Sequence, residues 1–127
     1  MITGSTDGIG RAFAFELANR GFNIVLISRN QDKLNAVASE IQSKHKVQTR
    51  TVAFDFSKDT SVAGYESIMN KIADLDVSIL INNVGIVSYS DNFASSNPQE
   101  VLEETIVNTY PVVLMTRGLI QKMLDRY

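Results

Sequence analysis

The sequence predicts an α/β fold, a doubly wound parallel sheet of about four strands with their helices, in a single domain over residues 1–127. Short apolar runs, such as residues 22–27 and 77–81, alternate with stretches whose apolar residues recur every three or four positions. A turn containing Gly4, Gly8 and Gly10 separates the first short run from the first amphipathic stretch. Helices between short apolar strands imply right-handed crossovers, and therefore a parallel sheet.

The first half of the chain contains three predicted strands and two predicted helices. Residues 1–2 precede the glycine turn, residues 22–27 resemble a strand covered on both faces, and residues 47–54 alternate like a strand near a sheet edge. The first helix spans residues 11–20 and stops at Gly21. Its predicted apolar face consists of Ile9, Ala12, Phe13 and Leu17. The second helix spans residues 31–43, before a polar loop at residues 44–46, and its stripe is Leu34, Val37, Ala38 and Ile41.

The second half contains one more buried strand and two helical regions. Residues 61–73 form a helix whose stripe is Tyr65, Ile68, Met69 and Ile72. The strand at residues 77–81 is followed by a loop that includes residues 86–96. Asn97 and Pro98 then predict a helix start, because Asn caps a helix and Pro suits its first position. Residues 98–124 form two helices or one bent helix, since Pro111 removes a backbone hydrogen bond beside Asn108.

Composition excludes several functional classes. The net charge of −2 does not favour nucleic acid or an anionic membrane surface as a partner. The absence of cysteine excludes disulfides and thiolate metal sites, and no metal site is predicted. No apolar run approaches the roughly 18 residues of a membrane-spanning helix, and no signal peptide is visible. Judged from these residues alone, the expected location is the cytoplasm.

The glycine turn is the first candidate binding site. A strand that runs into a glycine-rich turn and then a helix directs backbone N–H groups at an anion, and the helix dipole favours negative charge there. A purely structural turn is the alternative. A Walker-type loop is set aside, because Arg11 and Ala12 follow Gly10 in place of Lys and Ser or Thr. The turn therefore predicts a dinucleotide site.

The tip of the second strand favours NADP over NAD. An acidic residue there would accept hydrogen bonds from the adenosine ribose, but this chain has Ser28 and Arg29. Arg29 is a charge-assisted donor suited to the 2′-phosphate of NADP. A solvated surface arginine is the alternative.

Two further strand ends carry polar residues. Asp55 could accept a hydrogen bond from the adenine amine, or it could be an ordinary turn residue. The stretch Asn82-Asn83-Val84-Gly85 follows a buried strand. Its amides could tie neighbouring strands together and form a floor under a cofactor, with a simple turn as the alternative.

These motifs resemble the first half of the short-chain dehydrogenase/reductase family. Thr3-Gly4-x-x-x-Gly8-Ile9-Gly10, Asn82-Asn83-x-Gly85 and Asn108 carry the resemblance, which covers essentially all of the chain. The stretches Ser28-Arg29-Asn30, Asp55-Phe56-Ser57 and Ile81-Asn82-Asn83-Val84-Gly85 are similar to the branch of very-long-chain 3-oxoacyl-CoA reductases and type 12 17β-hydroxysteroid dehydrogenases. The resemblance implies a Rossmann-like fold and NADPH-dependent reduction of a 3-oxoacyl-CoA or steroid ketone.

The resemblance also implies a role for each matching residue. The pyrophosphate and ribose would contact Gly4, Ser5, Thr6, Gly8, Ile9 and Gly10. Ser28 and Arg29 would bind the 2′-phosphate of NADP(H), and Asp55 would contact the adenine. The ribose and nicotinamide side would be lined by Asn82, Val84 and Gly85. Asn108 would hold a water and connect a proton relay. Relatives in this branch are held at the endoplasmic reticulum, and a homo-oligomer is a possible assembly.

The family's reacting residues are not among these 127. A Ser, a Tyr and a Lys four residues after the Tyr perform the family's chemistry, and no Tyr-x-x-x-Lys occurs here. Tyr65, Tyr89, Tyr110 and Tyr127 are not predicted as proton donors. The chain is expected to be a cofactor-binding part that is incomplete at both ends, with an exposed strand edge at residues 77–81. The alternative function is a non-catalytic nucleotide-binding or interaction module.

Overall fold

Three parallel strands and four α-helices alternate in the part of the chain that the computed structural model describes, residues 1–88 and 92–126. The strands are β1 (Ile2–Thr3), β2 (Ile24–Ser28) and β3 (Thr49–Ala53), paired in that order. The helices are α1 (Gly8–Asn19), α2 (Gln31–His45), α3 (Val62–Lys71) and α4 (Pro98–Leu124), and a 3₁₀ turn spans Phe93–Ser95. The predicted α/β class with a parallel, Rossmann-like sheet is confirmed.

The predicted fourth strand is reduced to a single bridge. Ile81 pairs in parallel with Ile2, its amide donates to the Met1 carbonyl at 2.9 Å, and its carbonyl accepts from the Thr3 amide at 3.1 Å. A ladder cannot be longer than its shorter strand, and β1 contains only two residues. Residues 77–81 therefore follow the free side of β1 without forming a regular strand.

The two faces of the sheet carry separate hydrophobic clusters, as a doubly wound fold requires. Ile24 and Leu26 of β2 point into the cluster with α1 and α2, whereas Val25 and Ile27 point into the cluster with α3 and α4. This alternation follows from the two-residue repeat of a strand. The predicted stripe of α2 is buried throughout. Tyr65 and Ile68 of α3 are buried, as is Ile72, which directly follows the helix, and Met69 packs against them.

The predicted apolar face of α1 is wrong except at Leu17, which is half-buried and packs against the core. Ile9 and Phe13 are 70% and 45% exposed, and the helix instead buries Gly10, Ala14 and Ala18. The four-residue period was read correctly, but its phase was shifted by one residue. Small residues allow α1 to lie close to the sheet, and this close approach excludes the larger side chains.

The start of α1 and the end of α2 differ from the prediction, and α1 begins at Gly8 and not at residue 11. Helix α2 continues to His45, and Lys46 caps it in the left-handed conformation at φ 54°, so only Lys46 of the loop predicted at residues 44–46 lies outside the helix. Gly21 follows α1 at φ 86°, and Asn97 caps α4 with Pro98 at the helix start, as predicted. Helix α4 is one continuous helix through the buried Pro111. The predicted loop at residues 86–96 includes residues 89–91, which lie outside the described residues. Within the described chain, no helix is long and apolar enough to cross a bilayer.

Candidate functional site

The glycine turn lies at the carboxyl ends of β1 and β2. Gly4 and Gly8 have φ values of 63° and 49°, a region that glycine occupies at little cost. A Cβ on Gly10 would lie 2.3 Å from the Gly4 carbonyl oxygen and 2.4 Å from Asn83 Nδ2. The turn can therefore close only because residue 10 has no side chain.

Thr3 and Asn83 join this turn to the loop after residue 81. The hydroxyl of Thr3 accepts the amides of Asn83 and Val84, each at 3.0 Å. Asn83 Nδ2 returns hydrogen bonds to the carbonyls of Thr3 and Gly4, at 3.0 and 3.1 Å. The two adjacent asparagines predicted a link between strand ends, and Asn83 makes that link. The role of Thr3 was not predicted, although this residue stands inside the glycine motif.

The hydroxyl side chains of the turn bond to β2. Ser5 is fully buried, and its hydroxyl donates to the Ile27 carbonyl at 3.2 Å. The hydroxyls of Thr6 and Ser28 lie 3.0 Å apart. Ser5 therefore uses its side chain within the fold, whereas Thr6 and Ser28 form part of a groove wall.

A groove of about 250 Å³ opens along the carboxyl ends of the strands. Of the predicted cofactor residues, seven line it: Gly4, Thr6, Ser28, Arg29, Asp55, Val84 and Gly85. The other predicted residues lie outside this lining: Ser5, Gly8, Ile9, Gly10, Asn82 and Asn108. The unpredicted lining residues are Asp7, Phe54, Phe56, Ser57, Ile86, Glu103 and Val107. A ligand in this groove would contact the ends of all three strands and the N-terminal half of α4.

The groove lining includes one cation, Arg29 at the end of β2, and three carboxylates, Asp7, Asp55 and Glu103, so a phosphate would be held on the Arg29 side. Arg29 is exposed and has no carboxylate within 4 Å among the described residues, whereas Arg11 is paired with Glu40 at 2.5 Å. The side chains of Asn82, Asn83 and Val84 are uncharged. On the β3 side, Asp55 Oδ1 accepts the amide and hydroxyl of Ser57, at 3.1 and 2.9 Å. Asp55 is thus both a turn residue and a groove residue.

Asn108 on α4 holds the loop that follows Gly85. Its Oδ1 accepts the Ile86 amide and its Nδ2 donates to the Ile86 carbonyl, both at 2.9 Å. A Cβ on Gly85 would lie 3.1 Å from Asn108 Oδ1, so the glycine keeps the loop close to the helix. Asn82 Nδ2 donates to Thr116 at 3.1 Å, while Asn82 Oδ1 is buried without a hydrogen-bond partner in the described chain.

A second cavity, of about 280 Å³, lies at the opposite ends of the strands. Its lining includes Ile24, Val25, Val77 and Arg50. The guanidinium of Arg50 forms two hydrogen bonds with Asp74, both at 2.9 Å. The lining of this cavity therefore includes no glycine turn, and its arginine is already paired with a carboxylate. The groove at the carboxyl ends is the better candidate for a phosphate-bearing ligand.

Comparison with known proteins agrees with this architecture. The family model described as short chain dehydrogenase matches residues 1–127. The chain belongs to the short-chain dehydrogenase family. The very-long-chain 3-oxoacyl-CoA reductase of Bos taurus is 44% identical over 131 residues, and reductase-B of Danio rerio is 43% identical over 129 residues. The chain spans 40% of the length of each relative, while the alignments include 99% of this chain.

The fold of this short-chain dehydrogenase chain also matches solved structures. L-sorbose reductase from Gluconobacter frateurii, solved in complex with NADPH and L-sorbose, aligns with a TM-score of 0.88 at 28% identity. A short-chain dehydrogenase from Sphingobium yanoikuyae, solved with NADPH, aligns with a TM-score of 0.86 at 25% identity. The matches cover 98% of this chain and 47% and 48% of those chains.

The described tyrosines of this short-chain dehydrogenase chain are unsuited to proton donation in the groove. Tyr65 packs against Phe54 and Phe56, with ring centroids 5.6 and 5.9 Å apart. Burial raises the pKa of Tyr65 to about 12, and the Asp59 charge adds to the effect. Tyr110 is 44% exposed on α4 and does not line the groove. Tyr89 and Tyr127 lie outside the described residues.

Glu104 provides a pH-dependent contact beside the groove. The hydroxyl and the amide of Ser88 both donate to Glu104 Oε2, and these hydrogen bonds lower the pKa of the Glu104 carboxyl below its ordinary value. Because the folded-state pKa is lowered, the contact is complete at neutral pH and is lost as the pH falls through that lowered pKa. Glu104 and Asn108 are one helical turn apart, so α4 holds the same loop at two points.

We expect the Ser88 amide chemical shift, followed by NMR during acidification, to titrate with a midpoint below the ordinary glutamate range. Glu104→Gln keeps a hydrogen-bond acceptor but has no carboxyl to titrate, so this variant should abolish the transition. A Ser88 transition that persists in Glu104→Gln would assign the titration to another group.

Proposed function

We propose that this chain is the cofactor-binding part of an NADPH-dependent short-chain reductase that reduces the ketone of a 3-oxoacyl-CoA or a steroid. The observation that carries the proposal is Arg29 at the end of β2, where it lines the groove without a carboxylate partner in the described chain. The names of the relatives, very-long-chain 3-oxoacyl-CoA reductases, support the substrate class. The NADPH complexes of similar structures support the cofactor.

The residues present fit a dinucleotide phosphate. Gly4 and Gly8 leave backbone surface without side chains, and the amides of Ile9 and Gly10 have no acceptor among the described residues at the start of α1. These groups would hold the pyrophosphate, while Arg29 and Ser28 would hold the 2′-phosphate. Asp55 Oδ2, which makes no hydrogen bond within the described chain, would accept from the adenine amine.

The nicotinamide end would lie toward Val84, Gly85 and Asn82. When bound, NADPH supplies a hydride to the ketone carbon. The protein must then provide a proton for the ketone oxygen, and we propose that Asn108 connects a proton relay through a water. The oxygen and the nitrogen of the Asn108 side-chain amide both already bond to Ile86. The water would therefore use the remaining lone pair of Asn108 Oδ1.

A non-catalytic nucleotide-binding module is the second candidate function. It is favoured by the burial of Tyr65 and by a described groove lining that contains no tyrosine. The two candidates predict the same cofactor preference but different chemistry. Location at the endoplasmic reticulum and a homo-oligomeric assembly are further proposals that rest on the family resemblance.

We expect the 127-residue chain to bind NADPH more tightly than NADH and to reduce no ketone. The measurements are nicotinamide fluorescence titrations with each nucleotide, followed by assays of NADPH oxidation with a 3-oxoacyl-CoA and with a steroid ketone. Equal affinities would overturn the assignment of Arg29. Steady NADPH oxidation dependent on the ketone would mean that the reacting residues lie within this chain, and would overturn the non-catalytic alternative.

A further inference from the structure

Lys33, in the first turn of α2, lies beside the proposed 2′-phosphate site but outside the groove lining. It lines a shallow depression together with Thr6, Asp7 and Arg11. Thr6 and Asp7 also line the groove that contains Arg29. The two concavities therefore meet at the ridge formed by Thr6 and Asp7, with Arg29 on one side and Lys33 on the other.

The charge balance on this ridge leaves a phosphate short of positive charge. A phosphate monoester carries about −1.5 to −2 charges at pH 7. Arg29 supplies one positive charge, while the Asp7 carboxylate lines both concavities and opposes the phosphate. The dipole of α2 adds little, because Asp32 stands in the first turn of that helix. A second cation is needed to hold the phosphate tightly.

Two cations line the depression, Arg11 and Lys33, and Lys33 is the one left to supply that charge. Arg11 is committed to Glu40 at 2.5 Å and also lies over the Phe15 ring, 4.5 Å from its centroid. Lys44 bonds to the same carboxylate at 2.7 Å. Both partners lower the pKa of Glu40, which therefore stays charged and keeps them occupied at neutral pH. Lys33 is exposed and has no carboxylate within 4 Å in the part of the chain that is described.

The local structure positions Lys33 for this role. Asn30 caps α2 and accepts the Lys33 amide at 2.9 Å, which fixes the first turn directly after the β2 tip. The ammonium group sits on a flexible four-carbon stem, so its position can adjust to a phosphate bound beside the shared lining residues Thr6 and Asp7. We propose that Lys33 is a specificity-determining residue that contributes the second positive charge to the 2′-phosphate of NADP(H). This inference rests on the proposed function.

The test compares four proteins, the wild-type chain, Lys33→Ala, Lys33→Arg and Lys71→Ala, in fluorescence titrations with NADPH and NADH. Lys71 ends α3 on the other face of the sheet and has no ion pair among the described residues, so its loss makes the same change in net charge. Lys33→Ala should weaken NADPH binding about tenfold, as expected for one charge-assisted contact, and leave NADH binding unchanged. Lys33→Arg should retain NADPH binding, and Lys71→Ala should match the wild type.

Two further measurements separate the possible failures. Calorimetric titration with adenosine 2′,5′-bisphosphate and adenosine 5′-phosphate tests the phosphate site without the nicotinamide half, and Lys33→Ala should weaken only the bisphosphate. If Arg29→Ala abolishes the NADPH preference while Lys33→Ala behaves like Lys71→Ala, the role of Lys33 is overturned and the proposed function stands. If the wild-type chain shows no preference for either 2′-phosphorylated ligand, both are overturned.

Discussion

Arg29→Asp is expected to reverse the nucleotide preference of the chain. The substitution removes the guanidinium that lines the groove at the end of β2 and brings a carboxylate toward the 2′-phosphate. Loss of a charge-assisted hydrogen bond costs about 1.5–3 kcal/mol, so NADPH affinity should fall at least tenfold. The new carboxylate can accept hydrogen bonds from the ribose hydroxyls of NADH, so NADH affinity should rise. Nicotinamide fluorescence titrations with both nucleotides measure the reversal.

Arg117→Asp is the matched control for this reversal. Arg117 lies on α4, is exposed, and has no ion pair in the described chain, and its substitution produces the same change in net charge. This variant should keep the wild-type order of affinities, because long-range charge effects on an exposed site are screened within about 8 Å at physiological ionic strength. If Arg117→Asp lowered NADPH affinity as much as Arg29→Asp, the preference would depend on net charge and not on a contact with Arg29.

Gly10→Ala is expected to cause the largest loss of stability. Alanine is favoured over glycine by about 1 kcal/mol in a helix interior, so propensity alone predicts a gain. In this fold the new Cβ would lie 2.3 Å from the Gly4 carbonyl oxygen and 2.9 Å from the Gly4 carbonyl carbon. Relief of that contact requires α1 to move away from the glycine turn. We expect a net loss of about 3 kcal/mol in the free energy of unfolding, measured by urea denaturation.

Gly21→Ala separates this steric effect from the general cost of replacing a glycine. Gly21 has φ 86°, and a Cβ there would meet no atom within 4 Å. Its substitution should cost only the backbone strain, about 1–2 kcal/mol. The two variants should also differ in ligand binding, since Gly10→Ala displaces the Asn83 amide that holds Gly4, whereas Gly21 follows α1 at its far end. If Gly10→Ala proved as stable as the wild type, the close approach of α1 to the turn would be wrong.

The parts of the site that the sequence predicted are those carried by local signals. The glycine turn, the position of Arg29 after β2 and the cap formed by Asn97 depend on residue types adjacent in the chain, and the structure has each of them where expected. The stripe of α2 was also predictable, because four apolar residues on one helical face have a single way to be buried. In α1, apolar residues occur on more than one face, so the period alone could not decide which face meets the sheet.

The contacts that hold the groove in shape are long-range, and sequence patterns did not assign them. Thr3 and Asn83 are 80 residues apart, and Ile86 and Asn108 are 22 residues apart. A hydroxyl at the end of β1 has several candidate partners among the strand ends, and only the packed sheet brings the amides of Asn83 and Val84 within 3.0 Å of it. The same reason applies to Ser5, because the sequence did not indicate that its hydroxyl bonds to the Ile27 carbonyl.

The sequence by itself determined the α/β class, the glycine turn and the charge at the tip of β2, because each depends on neighbouring residues or on a short repeat. The tertiary structure decided which small residues let α1 approach the sheet, how far the ladder beside β1 extends, and which side chains lock the groove. Those outcomes depend on distances between segments that are remote in the chain, and steric fit between backbones sets such distances. The site therefore depends on the missing Cβ of Gly10, which lets the turn close, as well as on the guanidinium of Arg29, which lines the groove.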